Sequence, residues 1–187
     1  MSLIELMVVV GIIVIGAGIA TLSLRTGREQ YRADSAARVV EEQLRTARQY
    51  AIDQRRVVRL TFTAPGTITT FARNYDPVNK KFLWPQLGQD SISSDFQFDA
   101  ESGLPNPGPD GFGNGKSAID FNTNTSLNFW PDGSVQDGDG TVNGVLLSGV
   151  VYVAMPGRKG TSRAVSVFGP VGSVHVYQLS GSTWVSK

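Results

Sequence analysis

Cysteine is absent from all 187 residues. Its absence excludes disulfides, thiol catalysis, cysteine-based zinc sites and a lipid-modified cysteine anchor, while leaving the compartment open. Histidine occurs once, as His175 within the alternating Val174-His175-Val176-Tyr177, a setting for a solvent-facing strand residue rather than a catalytic base. No serine-nucleophile motif, phosphate loop or dinucleotide turn stands in a credible context, so neither an enzyme nor a bound cofactor is expected. A strong net charge is also lacking. The balance is +1, with nine arginines against five acids in residues 25–59 and eight basic against ten acidic residues in 60–187. A polyanion surface covering the whole molecule is thereby excluded, and any such contact must be local.

What is present is 41% apolar residues, 21 glycines and 9 prolines. The first is enough for a core, and the glycines and prolines point to many turns and short strands. The length suits one ordinary domain with an appendage.

The appendage is at the N-terminus. From Leu6 to Ala20 no residue is charged or strongly polar, and the apolar character continues to Leu24 before Arg25. At about 1.5 Å per residue, Leu3 to Leu24 as a helix is long enough for a hydrocarbon core of roughly 30 Å. A secretory signal peptide would carry a basic start, whereas Met1-Ser2-Leu3-Ile4 has none and is followed by Glu5, although Gly18-Ile19-Ala20 fits a cleavage site. A plain membrane anchor leaves Glu5 unexplained, because an acid at the bilayer centre costs about 2.5–3.5 kcal/mol on insertion scales. A carboxylate among apolar groups is tolerated when a cation or several donors neutralise it.

Met1-Ser2-Leu3-Ile4-Glu5-Leu6-Met7-Val8-Val9-Val10 resembles the start of a mature type IV pilin or type II secretion pseudopilin. The resemblance implies that a prepilin peptidase in the inner membrane removes a short basic leader before Met1 and that the new amine is methylated. It also implies that Glu5 pairs with the N-terminal amine of a neighbouring subunit during assembly. These families most often have phenylalanine at the first position, where this chain has Met1. Arg25, Arg28 and Arg32 follow the span, and the positive-inside rule alone would place them in the cytoplasm. Only a leader more basic than that flank would reverse the orientation, so the rule stands against the resemblance here.

After Arg25 the pattern becomes amphipathic, with Ala36, Val40, Leu44, Ala47 and Ala51 on one face. Gly11, Gly16 and Gly18 each weaken helix by roughly 1 kcal/mol relative to alanine, and serve equally as close-contact positions between helices in lipid. The run Leu44 to Ile52 with Val57-Val58-Arg59-Leu60, and the turn Phe129-Trp130-Pro131-Asp132-Gly133-Ser134, resemble the GspH/FimT-like subgroup of pilin-like proteins. In that subgroup an Ala-Arg pair and an Ala-Ile pair close the helix before the first strand.

Strand signals follow at Arg56–Thr63 and Ile68–Arg73, joined by Ala64-Pro65-Gly66-Thr67 with Pro and Gly placed for a type II turn. Further candidates are 96–98, 118–121, 127–130, 145–154, 164–168, 173–179 and 183–185. Ser102 to Gly115, with three prolines and five glycines, reads as a surface loop of little order. The expected fold is α+β, a long N-terminal hydrophobic helix whose C-terminal half packs on an antiparallel sheet, as in type IV pilins. It divides into a transmembrane or filament-core helix over 1–24, an amphipathic continuation over 25–55 and a β-rich head over 56–187.

Two loops carry candidate sites. Asp132, Asp137 and Asp139 lie in a glycine-rich run whose spacing is not that of an EF-hand, and turns are the stronger reading than calcium. Arg158, Lys159 and Arg163 lie in Met155-Pro156-Gly157-Arg158-Lys159-Gly160-Thr161-Ser162-Arg163, a partial match to the basic motif of DNA-binding minor pilins, with a solvated hairpin loop as the stronger reading. The expected function is a structural subunit of a type IV pilus or type II secretion pseudopilus. Such a subunit is held in the bacterial inner membrane and then assembled with itself or other pilins, through an assembly platform, into an extracellular or periplasmic filament. A DNA-binding minor pilin for DNA uptake and a membrane-anchored adhesin are the alternatives.

Overall fold

A computed structural model describes residues 3–121, 125–137 and 144–187, with residues 16–26 described as backbone only. The helix α1 is assigned over Leu3–Gln54, and its side chains are described in two parts, a short one over 3–15 and one of about 28 residues over 27–54. The chain divides into a unit Met1–Arg32 and a compact unit Ala33–Lys187.

In the compact unit, Ala33, Ala36, Ala37, Val40, Leu44, Ala47 and Ala51 are all buried on one face of α1, the stripe that the 3.6-residue period picks out. Five of the seven are alanine, which brings the helix backbone close to its neighbours. The helix stops in a Schellman motif: the N–H of Arg56 donates to the carbonyl of Ala51 and that of Arg55 to Ile52, at 3.2 and 3.3 Å. The turning residue is Arg55, with φ of 50°, where glycine is usual.

The strands are β1 (Val58–Thr63), β2 (Thr67–Ala72), β3 (Asn74–Asp76), β4 (Lys81–Leu83), β5 (Gln86–Ser91), β6 (Gln97–Phe98) and β7 (Ile119–Asp120). Then come β8 (Ser126–Phe129), β9 (Val135–Gln136), β10 (Gly149–Ala154), β11 (Arg163–Phe168), β12 (Ser173–Ser180) and β13 (Thr183–Ser186). They form a five-stranded sheet in the order β5-β2-β1-β8-β9, a six-stranded sheet in the order β13-β12-β11-β10-β6 with β7 also on β10, and a separate β3-β4 ribbon. The pairings are antiparallel.

The expected single long helix lying on one antiparallel sheet is therefore corrected. The described helix falls into two parts, of which only residues 33–54 belong to the compact unit, and the described β structure is divided among three sheets. Glycine- and proline-rich connections cut the chain into short strands, and strands of two to eight residues favour several small sheets over one broad one.

One core joins the helix stripe to Val58, Leu60 and Phe62 of β1, Leu127 and Phe129 of β8, and Val151, Val153, Val165 and Val167 of β10 and β11. β1 alternates buried and less buried residues, as a strand with one covered face should. β10 and the first five residues of β11 are buried throughout. On their second face Val150, Tyr152 and Ala164 form a smaller cluster with Leu104 and Leu179. The loop expected to have little order supplies part of that cover. At Gly113, φ is 77° and an added Cβ would stand 2.3 Å from Val150 Cγ1, so only glycine lets the loop lie this close.

The β1–β2 turn differs from the expected type II. Ala64-Pro65 is cis, Thr63 pairs with Thr67, and Gly66 is not at positive φ. Its lack of a side chain serves packing instead, since a Cβ there would meet Ile92 Cγ1 at 2.3 Å.

Candidate assembly segment and candidate binding loops

In the N-terminal unit, Leu3, Ile4, Leu6, Met7, Val8, Val9, Val10, Ile12, Ile13, Val14 and Ile15 are all exposed, from 44% at Val9 to 77% at Leu3. Burying such side chains stabilises by about 1.5–3 kcal/mol each, so eleven of them represent roughly 15–30 kcal/mol available to whatever covers them. Glu5 is exposed within this stretch and forms no ion pair among the described residues. Met1 lies outside the described residues, and Gly16 and Gly18 fall in the stretch described as backbone only. Among the described residues no helix is long and apolar enough to cross a membrane. The expected span Leu3–Leu24 includes 16–24, described as backbone only.

The three cations of the 155–163 segment are not brought together on one surface. Arg158 is exposed beside the 3-10 turn Lys159–Thr161, and the Lys159 ammonium donates to the carbonyl of Gly103. Arg163 is a correction to the loop reading. It opens β11 at 1% exposure, with its Nε 2.6 Å from Asp34 Oδ1 on α1, and Lys187 also donates to Asp34. An arginine held this way does not face a polyanion. Burial alone would raise the Asp34 carboxyl, but hydrogen bonds and charges from Lys187 and Arg163 outweigh it and hold the group below its ordinary value.

Asp132 is used inside its turn, accepting from the N–H and hydroxyl of Ser134 at 2.9 and 2.7 Å, and these bonds depress its carboxyl. Asp137 accepts from Val145 N–H at 2.6 Å, and Asp139 lies outside the described residues. Among the described residues no group of three acidic, histidine or cysteine side chains is placed to hold a metal.

His175 is half exposed on β12, with Nδ1 3.2 Å from Asp110 Oδ2. Asp110 also accepts from Ser166 and Tyr177 hydroxyls, each at 2.5 Å. Burial pushes the Asp110 carboxyl up, and the three donors more than offset it; burial, then Asp110, pushes Tyr177 up to about 12. This arrangement does not activate a nucleophile. Ser166 gives its proton to the carboxylate instead of to the imidazole, so the Ser-to-His step of a triad has no counterpart.

A fourth feature joins two sequence motifs. Arg48 Nε donates to the carbonyl of Gly133 at 3.3 Å and to that of Val171 at 3.1 Å. The helix-closing Ala47-Arg48 thereby fastens the Trp130–Ser134 turn. Gly133, at φ of 81°, leaves room for it, since a Cβ would meet Arg48 Nη2 at 3.1 Å. Replacing Arg48 by alanine should destabilise the protein by about 1–2 kcal/mol, the value of charged hydrogen bonds discounted for partial exposure, in urea unfolding followed by tryptophan fluorescence.

Sequence reasoning did not find Asp34 or Asp110, whose partners lie more than 50 positions away along the chain. No protein-family model, curated protein or solved structure matches this chain.

Proposed function

We propose that this chain is a subunit of a type IV pilus or type II secretion pseudopilus, held in the bacterial inner membrane through its N-terminal segment and then assembled into an extracellular or periplasmic filament. The observation that carries the reading is the exposed apolar stretch from Leu3 to Ile15 with one carboxylate, Glu5, inside it. Apolar area on that scale needs a cover, and lipid followed by the same segment of other subunits supplies one without any change in the β-rich unit. Glu5 then pairs with the N-terminal amine of a neighbouring subunit, left by a prepilin peptidase and methylated. The partners are copies of this chain or other pilins, and no catalysis is assigned to it. Cell fractionation tests the proposal. The chain should sediment with the inner membrane and be recovered in filaments sheared from the surface or from periplasmic extracts. Recovery only in a soluble, non-filamentous fraction would contradict it.

A further inference from the structure

The ribbon of β3 and β4 pairs with neither larger sheet among the described residues. Its register sets Asn74 against Leu83, Tyr75 against Phe82 and Asp76 against Lys81. Alternation therefore puts Tyr75 and Phe82 on one face, and Leu83 and Lys81 on the other. An isolated two-stranded hairpin is marginal in water, and this one leaves its apolar side chains open. Tyr75 is 50% exposed, Phe82 44%, Leu83 50% and Val78, in the loop at the tip, 86%.

Cations surround the same side chains. Lys80 and Lys81 follow Val78 directly after Asn79, and the pocket between the helix stop and the ribbon sets Arg55 and Arg56 beside Tyr75 and Phe82. All four are exposed and make no ion pair among the described residues. Arg73 is engaged with the ribbon itself, lying 4.4 Å over the Phe82 ring. The ribbon's one acid, Asp76, is turned to its own loop and accepts from Val78 N–H and Asn79 Nδ2 at 2.9 and 2.7 Å.

We infer that the ribbon is a docking tip for an anionic lipid surface. Val78, Phe82 and Leu83 enter the boundary between headgroups and acyl chains, and Arg55, Arg56, Lys80 and Lys81 meet lipid phosphates. Apolar side chains at the tip and on both faces favour this occupant, because a rigid protein surface would cover one face, whereas a fluid interface closes round all of them. Lysine is depleted from the buried centres of protein contacts, while beside a bilayer its stem lies along apolar groups and its ammonium stays among the headgroups. A soluble polyanion would use the cations and leave Val78 and Leu83 in water. The inference rests on the proposed membrane attachment in one respect: a chain already held by its N-terminal segment keeps the ribbon at high effective concentration near lipid, so a weak contact suffices.

The chain has no cysteine, so Val78→Cys takes a single environment-sensitive fluorophore, and Ser182→Cys, in the exposed turn between β12 and β13, provides the reference. The full chain is reconstituted without detergent in phosphatidylcholine vesicles with or without phosphatidylglycerol. In the anionic vesicles the label at position 78 should emit further to the blue than that at 182 and lose about half its emission to a shallow lipid-borne quencher, as the depth of an interfacial group requires. High salt, phosphatidylcholine alone, or Lys80→Glu with Lys81→Glu should each return it towards water. Tm of that double variant should be unchanged, because the ribbon lies outside the larger sheets. A label at 78 as open to water as that at 182 in anionic vesicles would overturn the assignment. So would an equal shift in phosphatidylcholine alone, or one that grows with protein concentration in lipid-free micelles and thus reports a second copy. A chain that fails to float with vesicles sinks the membrane attachment and the ribbon together, whereas one that floats with position 78 in water sinks the ribbon alone.

Discussion

Replacing Asp34 by alanine should lower stability by about 3–5 kcal/mol, because it strands Arg163 as a buried cation. Arg163 is 1% exposed, and its short contact with Asp34 joins β11 to α1 across 129 positions of sequence, beside the apolar packing of the shared core. The loss exceeds what the pair contributes, since most of it is the desolvation of an arginine left without a countercharge. The double variant Asp34→Leu with Arg163→Met should therefore recover most of it, and urea unfolding of the two variants separates pair energy from stranded charge. The pH dependence has a fixed sign. Asp34 and Asp110 have carboxyls below the ordinary value of 3.8, so their contribution is complete above that value and is lost as pH falls through the lower folded values. Stability should fall on acidification below roughly pH 4, less steeply in the Asp34→Ala protein.

Replacing Glu5 by alanine should abolish incorporation into filaments while leaving the β-rich unit folded. Glu5 lies in the unit Met1–Arg32, apart from the compact unit Ala33–Lys187, so its loss removes nothing from the core. In an assembled apolar core, an unpaired carboxylate and an unpaired amine each carry a desolvation penalty of several kcal/mol, and pairing them offsets both. Alanine leaves the neighbour's amine stranded, and the cost recurs at every subunit added. Glu5→Gln keeps the shape without the charge and should also fail, which distinguishes an ion pair from simple packing. Recovery of sheared filaments from cells expressing each variant, beside circular dichroism of the purified chain, reads the two effects separately. Normal incorporation of the alanine variant would remove the assigned role of Glu5.

Much of the β structure was legible where at least one face is covered. β1, β2, β10, β11 and β12 were expected close to where they lie, because alternation or a solid apolar run marks them. β5, with the sequence Gln-Leu-Gly-Gln-Asp-Ser, is an edge strand exposed along its length and carries no such mark. The same holds for β3 and β4, a ribbon outside both larger sheets. The partition into separate sheets was illegible for a related reason. Pairing is decided by contacts between distant strands, and the run of strand and turn signals after the helix, from which one sheet was expected, does not say how the strands divide.

Arg163 illustrates the limit for sites. A cation between Ser162 and Ala164 reads as the edge of a basic loop, yet the first five residues of β11 are buried on both faces and residue 163 points to a helix acid. Arg48 was nearer to legible, since the helix-closing motif and the aromatic turn were both noticed, though not their contact.

Electron cryomicroscopy of filaments sheared from cells tests the central proposal most directly. The account predicts a helical lattice containing this chain, with residues 3–15 packed against their counterparts and the Glu5 carboxylate within about 4 Å of a neighbour's N-terminal nitrogen. A filament lacking this chain, or one in which Glu5 faces open water, would contradict it.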